Sequence, residues 1–509
     1  MHCDVLLINP PRAQRLGMLT EHLGLAYLAG VLSAAEIDVA VIDCPLWGQT
    51  TVAALWRELA AASPPRIVGI TVIDVEAWVC VSDFCHIIRR EWPGTQIVLG
   101  GYFATFWHDR LAAYPEVDVV VRGEGERTFL QLAQRVLENE PWTPTLGITW
   151  RQDSTVIVNA SQPLIENLDD LPFPIRQHLP QLRASGGIPT LYGSRGCYYH
   201  CTFCQVTQLY RQQPGRTYRS RSAANLLSEI RSIHPPCGPG ALMFTDDEFI
   251  GAGPTGHRRA HLFAEQIEAS GLDLRFGFQC RVDSVDRDLF AHLKSVGLRL
   301  VSVGLESMVS RSLELFGKRV TARQNLAALE TLAELDLSCS VGFILFDPLT
   351  TLDELAENVA WLRVLPTFPQ SLTGLSVLRG TPLESYFRER NMLDEGHLHL
   401  RVLPREPAIR SLEAALRQYA SLHTPITTRL IDTEMQLLTQ PDSPADLAAG
   451  AHKWRRELKT LHLYFLDEAI NCLRRQDDDP LDGLLGEMES AFGVLGTHVA
   501  EAQMKVSEW

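Results

Sequence analysis

The chain has 509 residues, 46% hydrophobic and 21% charged, enough apolar material for more than one buried core, so roughly two to four domains are expected. A formal charge of −15 with scattered Lys and Arg leaves no basic surface for a phosphate backbone and sets nucleic acid aside as a partner. No run is apolar enough to span a bilayer, MHCDVLLINPP lacks a leader's order, and eleven cysteines spread through a long chain read as free thiols or metal ligands, so a cytoplasmic location is expected.

Residues 1–140 alternate short β-branched runs (VLLINPP, VAVIDC, IVGITV, QIVLGG, VDVVVRG) with helical periodicity, as in GLAYLAGVLSAAE and TFLQLAQRVLEN. Near-continuous apolar strands with helices between them predict a five-stranded, doubly wound, Rossmann-like α/β domain. Ligands of such sheets sit outside the carboxyl ends of the strands, so the loops after Asn9, Asp43, Thr71 and Gly100 are expected to line a crevice. Gly100 and Gly101, followed by Tyr102, either let a flat ligand approach the backbone or form a tight strand-to-helix turn.

Residues 141–185, with PWTPTLGITW and NLDDLPFPIRQHLP, are proline-rich and weakly periodic, and read as a linker. Residues 186–390 hold six βα-type repeats, too few for a closed eight-fold barrel and enough for a partial (β/α)6 TIM-type barrel. From 391 to 509 strand signals fade. Segments such as IRSLEAALRQYASL and HKWRRELKTLHLYFLDEAINCLRR space apolar residues by three and four, which predicts a helical C-terminal region.

On the loop after the first barrel strand, RGCYYHCTFC places Cys197, Cys201 and Cys204 at C-x3-C-x2-C spacing. Three thiolates can hold three irons of a [4Fe–4S] cubane and leave the fourth iron open to a ligand. Zinc is the competing occupant, with His200 as a fourth ligand, but adjacent residues seldom aim at one ion and no second cysteine pair lies nearby.

With an aromatic residue, Phe203, before the last cysteine, this spacing resembles the signature of the radical S-adenosylmethionine superfamily. The resemblance implies that Cys197, Cys201 and Cys204 ligate the cluster and that the open iron chelates the methionine part of S-adenosylmethionine. One electron from an external donor, such as flavodoxin or ferredoxin, then releases a 5′-deoxyadenosyl radical. FTDDEF stands where the family carries a Gly-Gly-Glu-like motif, which makes Asp246, Asp247 and Glu248 candidates for the methionine ammonium, or else an acidic cluster at a helix start. QCRVD offers Arg281 to the methionine carboxylate. SVGLES, with Ser302 and Glu306, resembles the strand that contacts the nucleoside or orients Arg281, with an Arg281–Glu306 ion pair as the structural alternative. Tyr210, followed by Arg219 and Arg221 in RTYRSRS, is a candidate for substrate contact or for capping the cluster.

In the first domain HLGLAYLAGVL, VLGGYFAT and DVVVRGEGERTF resemble the cobalamin-binding-type domain that precedes many radical enzymes of this superfamily. That resemblance implies cofactor contacts from Asn9, Thr71, Gly100, Gly101, Tyr102, Gly123 and Glu124. The motif D-x-H-x-x-G is absent, and none of His2, His22, His86 and His108 stands in its context. A corrinoid here is therefore expected without an imidazole ligand, with Val72–Trp78 packed beneath its ring. The activity implied is cobalamin-dependent C-methylation of a small metabolite or natural-product intermediate. The alternative is cobalamin-free dehydration of a diol-containing, aminoglycoside-type sugar. A cluster-based redox sensor fits poorly, because it has no use for the strand motifs.

Overall fold

The computed structural model describes residues 2–12, 19–234, 240–439, 445–475 and 481–507. Five parallel strands open the chain: β1 (Val5–Asn9), β2 (Val39–Asp43), β3 (Ile67–Thr71), β4 (Gln96–Gly100) and β5 (Val119–Val121). Every residue of β1 and β3 is buried, because helices cover both faces. Leu25, Ala29, Leu32, Phe129 and Leu132 pack on one side, and Leu55, Trp78, Val81 and Phe84 on the other. Thr51 and Asp74 cap two of these helices through their side chains.

The sheet is longer than expected. A hairpin, β6 (Ile148–Gln152) and β7 (Thr155–Val158), adds two antiparallel strands, giving the order β2-β1-β3-β4-β5-β6-β7. It falls inside the stretch expected to be a linker. The buried edge of β5 and an edge-on contact between Trp150 and Trp142, centroids 5.7 Å apart, order strands too short for their alternation to stand out among flanking prolines. The order reverses at β1, between β2 and β3, and a crevice opens at such a switch point.

The second sheet is the expected six-stranded parallel one. After β8 (Thr190–Leu191), an antiparallel pair, β9 (Ser194–Arg195) and β10 (Arg219–Ser220), brackets the cysteine loop. Then come β11 (Gly240–Phe244), β12 (Leu274–Arg281), β13 (Leu298–Glu306), β14 (Ser338–Phe346) and β15 (Thr373–Gly374), in the order β15-β14-β13-β12-β11-β8. Beyond it a short hairpin, β16 (Leu393–Glu395) and β17 (Leu400–Val402), precedes helices Pro407–Thr439, Ala445–Arg475 and Asp482–Ser507. Tyr419 stacks on Phe465 with centroids 3.9 Å apart, and Leu466 and Trp454 share one core with Leu345 and Leu362 of the barrel. Among the described residues no helix is long and apolar enough to cross a membrane.

Candidate active site at the domain junction

Gly196, at φ +80°, turns the chain into the cysteine loop, and a Cβ there would collide with the Thr217 carbonyl. Thr202 anchors the loop through its N–H to Phe316 O at 2.9 Å, and Phe203 packs edge-on against the Phe316 ring. Cys201 is buried, and Cys197 and Cys204 are half-buried. Burial pushes Cys197 up to about 12 and Cys204 up to about 11, so these thiols hold their protons at neutral pH until a metal displaces them. Among the described residues no three His, Cys, Asp or Glu side chains converge on one ion; a cubane asks each thiolate for its own iron, and needs no such convergence. His200 is exposed and lies against Arg211.

The acidic run divides by partner. Asp246 takes Gly193 N–H at 2.8 Å and Ser194 Oγ at 2.6 Å, and Glu248 takes Arg281 N–H at 2.8 Å and Ile250 N–H at 3.2 Å; both tie the barrel's strand ends together. Asp247 accepts from Gly196 N–H at 3.1 Å. Burial, with help from Asp246, pushes it up to about 7, and its charge reaches Tyr102, Tyr192, Tyr210 and Cys204. Glu248 in turn acts on Cys197, so two of the three acids reach the cysteine loop, and an ammonium beside Asp247 would stabilise its ionised form.

Arg281 and Glu306 do not pair. Arg281 is held by Asp283 at 2.8 Å and by the Lys318 carbonyl at 2.7 Å. Glu306 instead takes Lys318 Nζ at 3.0 Å. Glu306 sits at φ +67° beside a register shift, and a Cβ on Gly304 would run into its carboxylate. Lys318 belongs to no motif, and nothing in the sequence marks it. Ser302 is half-buried on β13, opposite Gln279 and Ser340.

A cavity of about 350 Å³ lies between the two sheets, lined by Thr71, Gly100, Gly101, Tyr102 and Gly123 from the first domain and by Tyr192, Arg195 and Tyr210 from the second. A Cβ on Gly100 would meet nothing within 4 Å, so bare backbone faces open space. Gly101, at φ +101°, tolerates none, because it would lie 2.9 Å from Thr71 Oγ1 and Val72 O. Such a glycine-lined, mainly apolar recess fits part of a large flat cofactor whose remainder spreads along the opening. Burial raises Tyr192 to about 12 and raises Tyr102 and Tyr210 as well, so three neutral phenols border the recess.

Two expected cofactor contacts, Asn9 and Trp78, are otherwise engaged, and a third, Glu124, lines the cavity while its carboxylate is tied to arginines. Asn9 donates to Asp43 Oδ1 at 2.8 Å, and Asp43 Oδ2 takes the His22 N–H at 2.8 Å. Trp78 is buried, edge-on to Tyr114 with centroids 4.7 Å apart; its helix turns it into the core, and Ile73 from the same stretch lines the cavity. Glu124 accepts from Arg219 at 2.9 Å, Arg195 at 3.2 Å and the Ile165 N–H at 2.9 Å. His22 also lines the cavity, but its Nδ1 accepts the Leu25 N–H at 3.1 Å. The neutral ring then carries its proton on Nε2, the wrong tautomer for a metal ligand there.

The junction is clamped by buried charge. Besides its bond to Glu124, Arg195 meets Glu126 at 2.5 Å, and Arg219 lies over the Tyr210 ring at 5.2 Å. A second network joins Arg176 to Glu21 and Glu229, and Arg221 to Glu229. Nothing local in the sequence marks Arg195 or Glu126 for this role, although they stand next to Gly196 and in RGEGE.

Residues 12–133 match the B12 binding domain family, and residues 191–362 the Radical SAM superfamily. An uncharacterised methyltransferase of Pyrococcus horikoshii is 28% identical over 397 residues, covering 76% of this chain and 84% of that protein. An anaerobic magnesium-protoporphyrin IX monomethyl ester cyclase of Cereibacter sphaeroides is 27% identical over 366 residues, 66% of this chain and 55% of its own. The solved structure of the cobalamin-dependent S-adenosylmethionine radical enzyme OxsB superposes with a TM-score of 0.76 at 18% identity, over 99% of this chain and 80% of that one, a likeness of fold. The domain matches bring a [4Fe–4S] cluster, S-adenosylmethionine and cobalamin as cofactors.

Proposed function

We propose, for a chain that belongs to the radical S-adenosylmethionine superfamily and carries an N-terminal B12-binding domain, that it methylates an unactivated carbon of a small metabolite or natural-product intermediate. The observation that carries this reading is the shared cavity, in which glycines of the first domain face Tyr192, Arg195 and Tyr210 of the second. Bound there, the cofactors supply a 5′-deoxyadenosyl radical to remove hydrogen and a methyl group to replace it.

The chain's own residues do the rest. Cys197, Cys201 and Cys204 hold the cluster, and Asp247 accepts the methionine ammonium. Phe203 wedges the loop against Phe316. Ser302 and the Lys318–Glu306 pair border the nucleoside. Gly100 and Gly101 admit the corrinoid ring, with Thr71, Tyr102 and Gly123 around it, and Tyr210 closes the recess toward the substrate. Enzymes of this superfamily need a one-electron donor, and a flavodoxin or ferredoxin fits that need.

The B12-binding match favours methylation over a cobalamin-free dehydration, and the cyclase relative makes ring closure the reading to test against. The holoenzyme, reduced anaerobically, is incubated with S-adenosylmethionine trideuterated in its methyl group and a metabolite extract. The expected result is a product heavier by one trideuterated methyl. Formation of 5′-deoxyadenosine together with a product that carries no deuterium would overturn methylation and leave the radical chemistry standing.

A further inference from the structure

Arg281 is 5% exposed at the end of β12, and its guanidinium has few N–H groups left to offer. Nε donates to Asp283 Oδ1 at 2.8 Å, Nη2 to Asp283 Oδ2 at 3.3 Å and to Lys318 O at 2.7 Å, and Nη1 to Cys201 Sγ at 3.6 Å. Four of its five hydrogens are therefore directed. The Tyr199 ring closes one face, 3.2 Å from the central carbon to its centroid, and the Tyr199 hydroxyl donates to Asp283 in turn. The Arg281 backbone N–H is held by Glu248. A side chain fixed at this many points is poorly placed to turn toward an incoming carboxylate.

We propose that Arg281 is a positioning residue for charge at the cluster: pinned by Asp283, Lys318 and Tyr199, it donates a hydrogen bond to Cys201 Sγ and raises the potential at which the cluster is reduced. The inference rests on reading Cys197, Cys201 and Cys204 as cluster ligands. Reduction brings one electron from a low-potential donor into the cluster, taking its core from the 2+ to the 1+ state, with no proton transferred because the guanidinium stays charged throughout. A donor to a ligand sulfur stabilises the more negative state more than the less negative one, so the potential rises. The Asp283 carboxylate, on the guanidinium's other edge, acts in the opposite sense from farther away.

Opposite signs are what a merely structural role would not produce. Parent, Arg281→Gln, Arg281→Lys and Asp283→Asn proteins are reconstituted anaerobically without S-adenosylmethionine, assayed for iron and sulfide, and titrated with dithionite while the reduced cluster is followed by electron paramagnetic resonance. The midpoint is expected to fall in Arg281→Gln, to fall less in Arg281→Lys, and to rise in Asp283→Asn. If Arg281→Gln loses iron, Asp283→Asn, which keeps the guanidinium, still carries the sign. Full clusters whose midpoints stay at the parental value, or shift in one direction for both charge changes, overturn the inference alone. A parent that assembles no cluster overturns the cysteine assignment with it.

Discussion

Removing the Glu124 carboxylate should loosen the domain junction without touching the cluster. Glu124 is 8% exposed and bridges Arg195 and Arg219, which are 7% and 3% exposed. Arg219 Nε and Nη2 already lack hydrogen-bond partners among the described residues, so Glu124→Ala leaves that guanidinium the Tyr210 ring and, as a hydrogen-bond acceptor among the described residues, the Ile165 carbonyl at 2.8 Å, while Arg195 keeps Glu126. Taking one partner from a buried pair costs about 3–5 kcal/mol. Glu124→Gln keeps an acceptor for the Ile165 N–H and loses only the charge, and should cost about half as much, ~2 kcal/mol.

The pH dependence follows from the same geometry. Burial alone would raise Glu124, but Arg195 and Arg219 outweigh it and hold the carboxyl below its ordinary range. A carboxylate depressed in the folded state stabilises fully above its unfolded value of about 4.3 and loses that contribution as the pH falls through the folded value. The gap between parent and Glu124→Gln should therefore be full from neutral pH down to about 5 and close below about 4. Urea unfolding followed by tryptophan fluorescence measures it. A cost for Glu124→Ala under about 1 kcal/mol, combined with weakened cobalamin binding, would refute the clamp and restore Glu124 as a cofactor contact.

Single Cys197→Ala, Cys201→Ala and Cys204→Ala variants should each lose the cluster and 5′-deoxyadenosine formation, while Cys3→Ala, Cys339→Ala and Cys472→Ala keep both in iron and product assays; Cys237, also expected to be dispensable, lies outside the described residues. Gly100→Val points its side chain into open space, so stability should change by less than about 1 kcal/mol while cobalamin affinity, read by equilibrium dialysis, falls at least about tenfold. His423, 4% exposed, is pushed down to about 4 by burial among the C-terminal helices. Because the unfolded ring binds its proton first, the parent should lose about 2 kcal/mol relative to His423→Leu between pH 7.5 and 5, and parallel stability curves would show that the ring titrates normally.

The parallel strands of the first domain were legible because burial on both faces writes β1, β3 and β4 as largely apolar runs, whereas barrel strands such as β11 and β13 alternate buried and half-buried residues and were legible from their place between periodic helices. The cysteine loop was legible because its ligands lie within eight residues of one another. What escaped was set by tertiary juxtaposition. Glu124 and Arg195 lie 71 residues apart, and no local pattern says that a carboxylate in RGEGE meets an arginine beside the cysteines rather than a ligand. Arg281 stands at a strand end, as expected, and Asp283 is only two residues on, in the same QCRVD, but Tyr199 and Lys318 come from distant parts of the chain. Trp78 shows the limit of reading a loop by its neighbours: the helix beginning at Val75 fixes its direction, and that direction is inward.

If Cys197, Cys201 and Cys204 hold a cluster and the glycine-lined recess takes a corrinoid, one chain carries both cofactors. Anaerobic reconstitution with iron, sulfide and hydroxocobalamin, followed by gel filtration, metal and corrinoid counting, and electron paramagnetic resonance of the reduced protein with and without S-adenosylmethionine, tests it most directly. About four irons and about one corrinoid per chain, with a cluster signal that changes when S-adenosylmethionine is added, are the predicted result. A protein that emerges with its iron but no corrinoid, or whose cluster signal ignores S-adenosylmethionine, would contradict it.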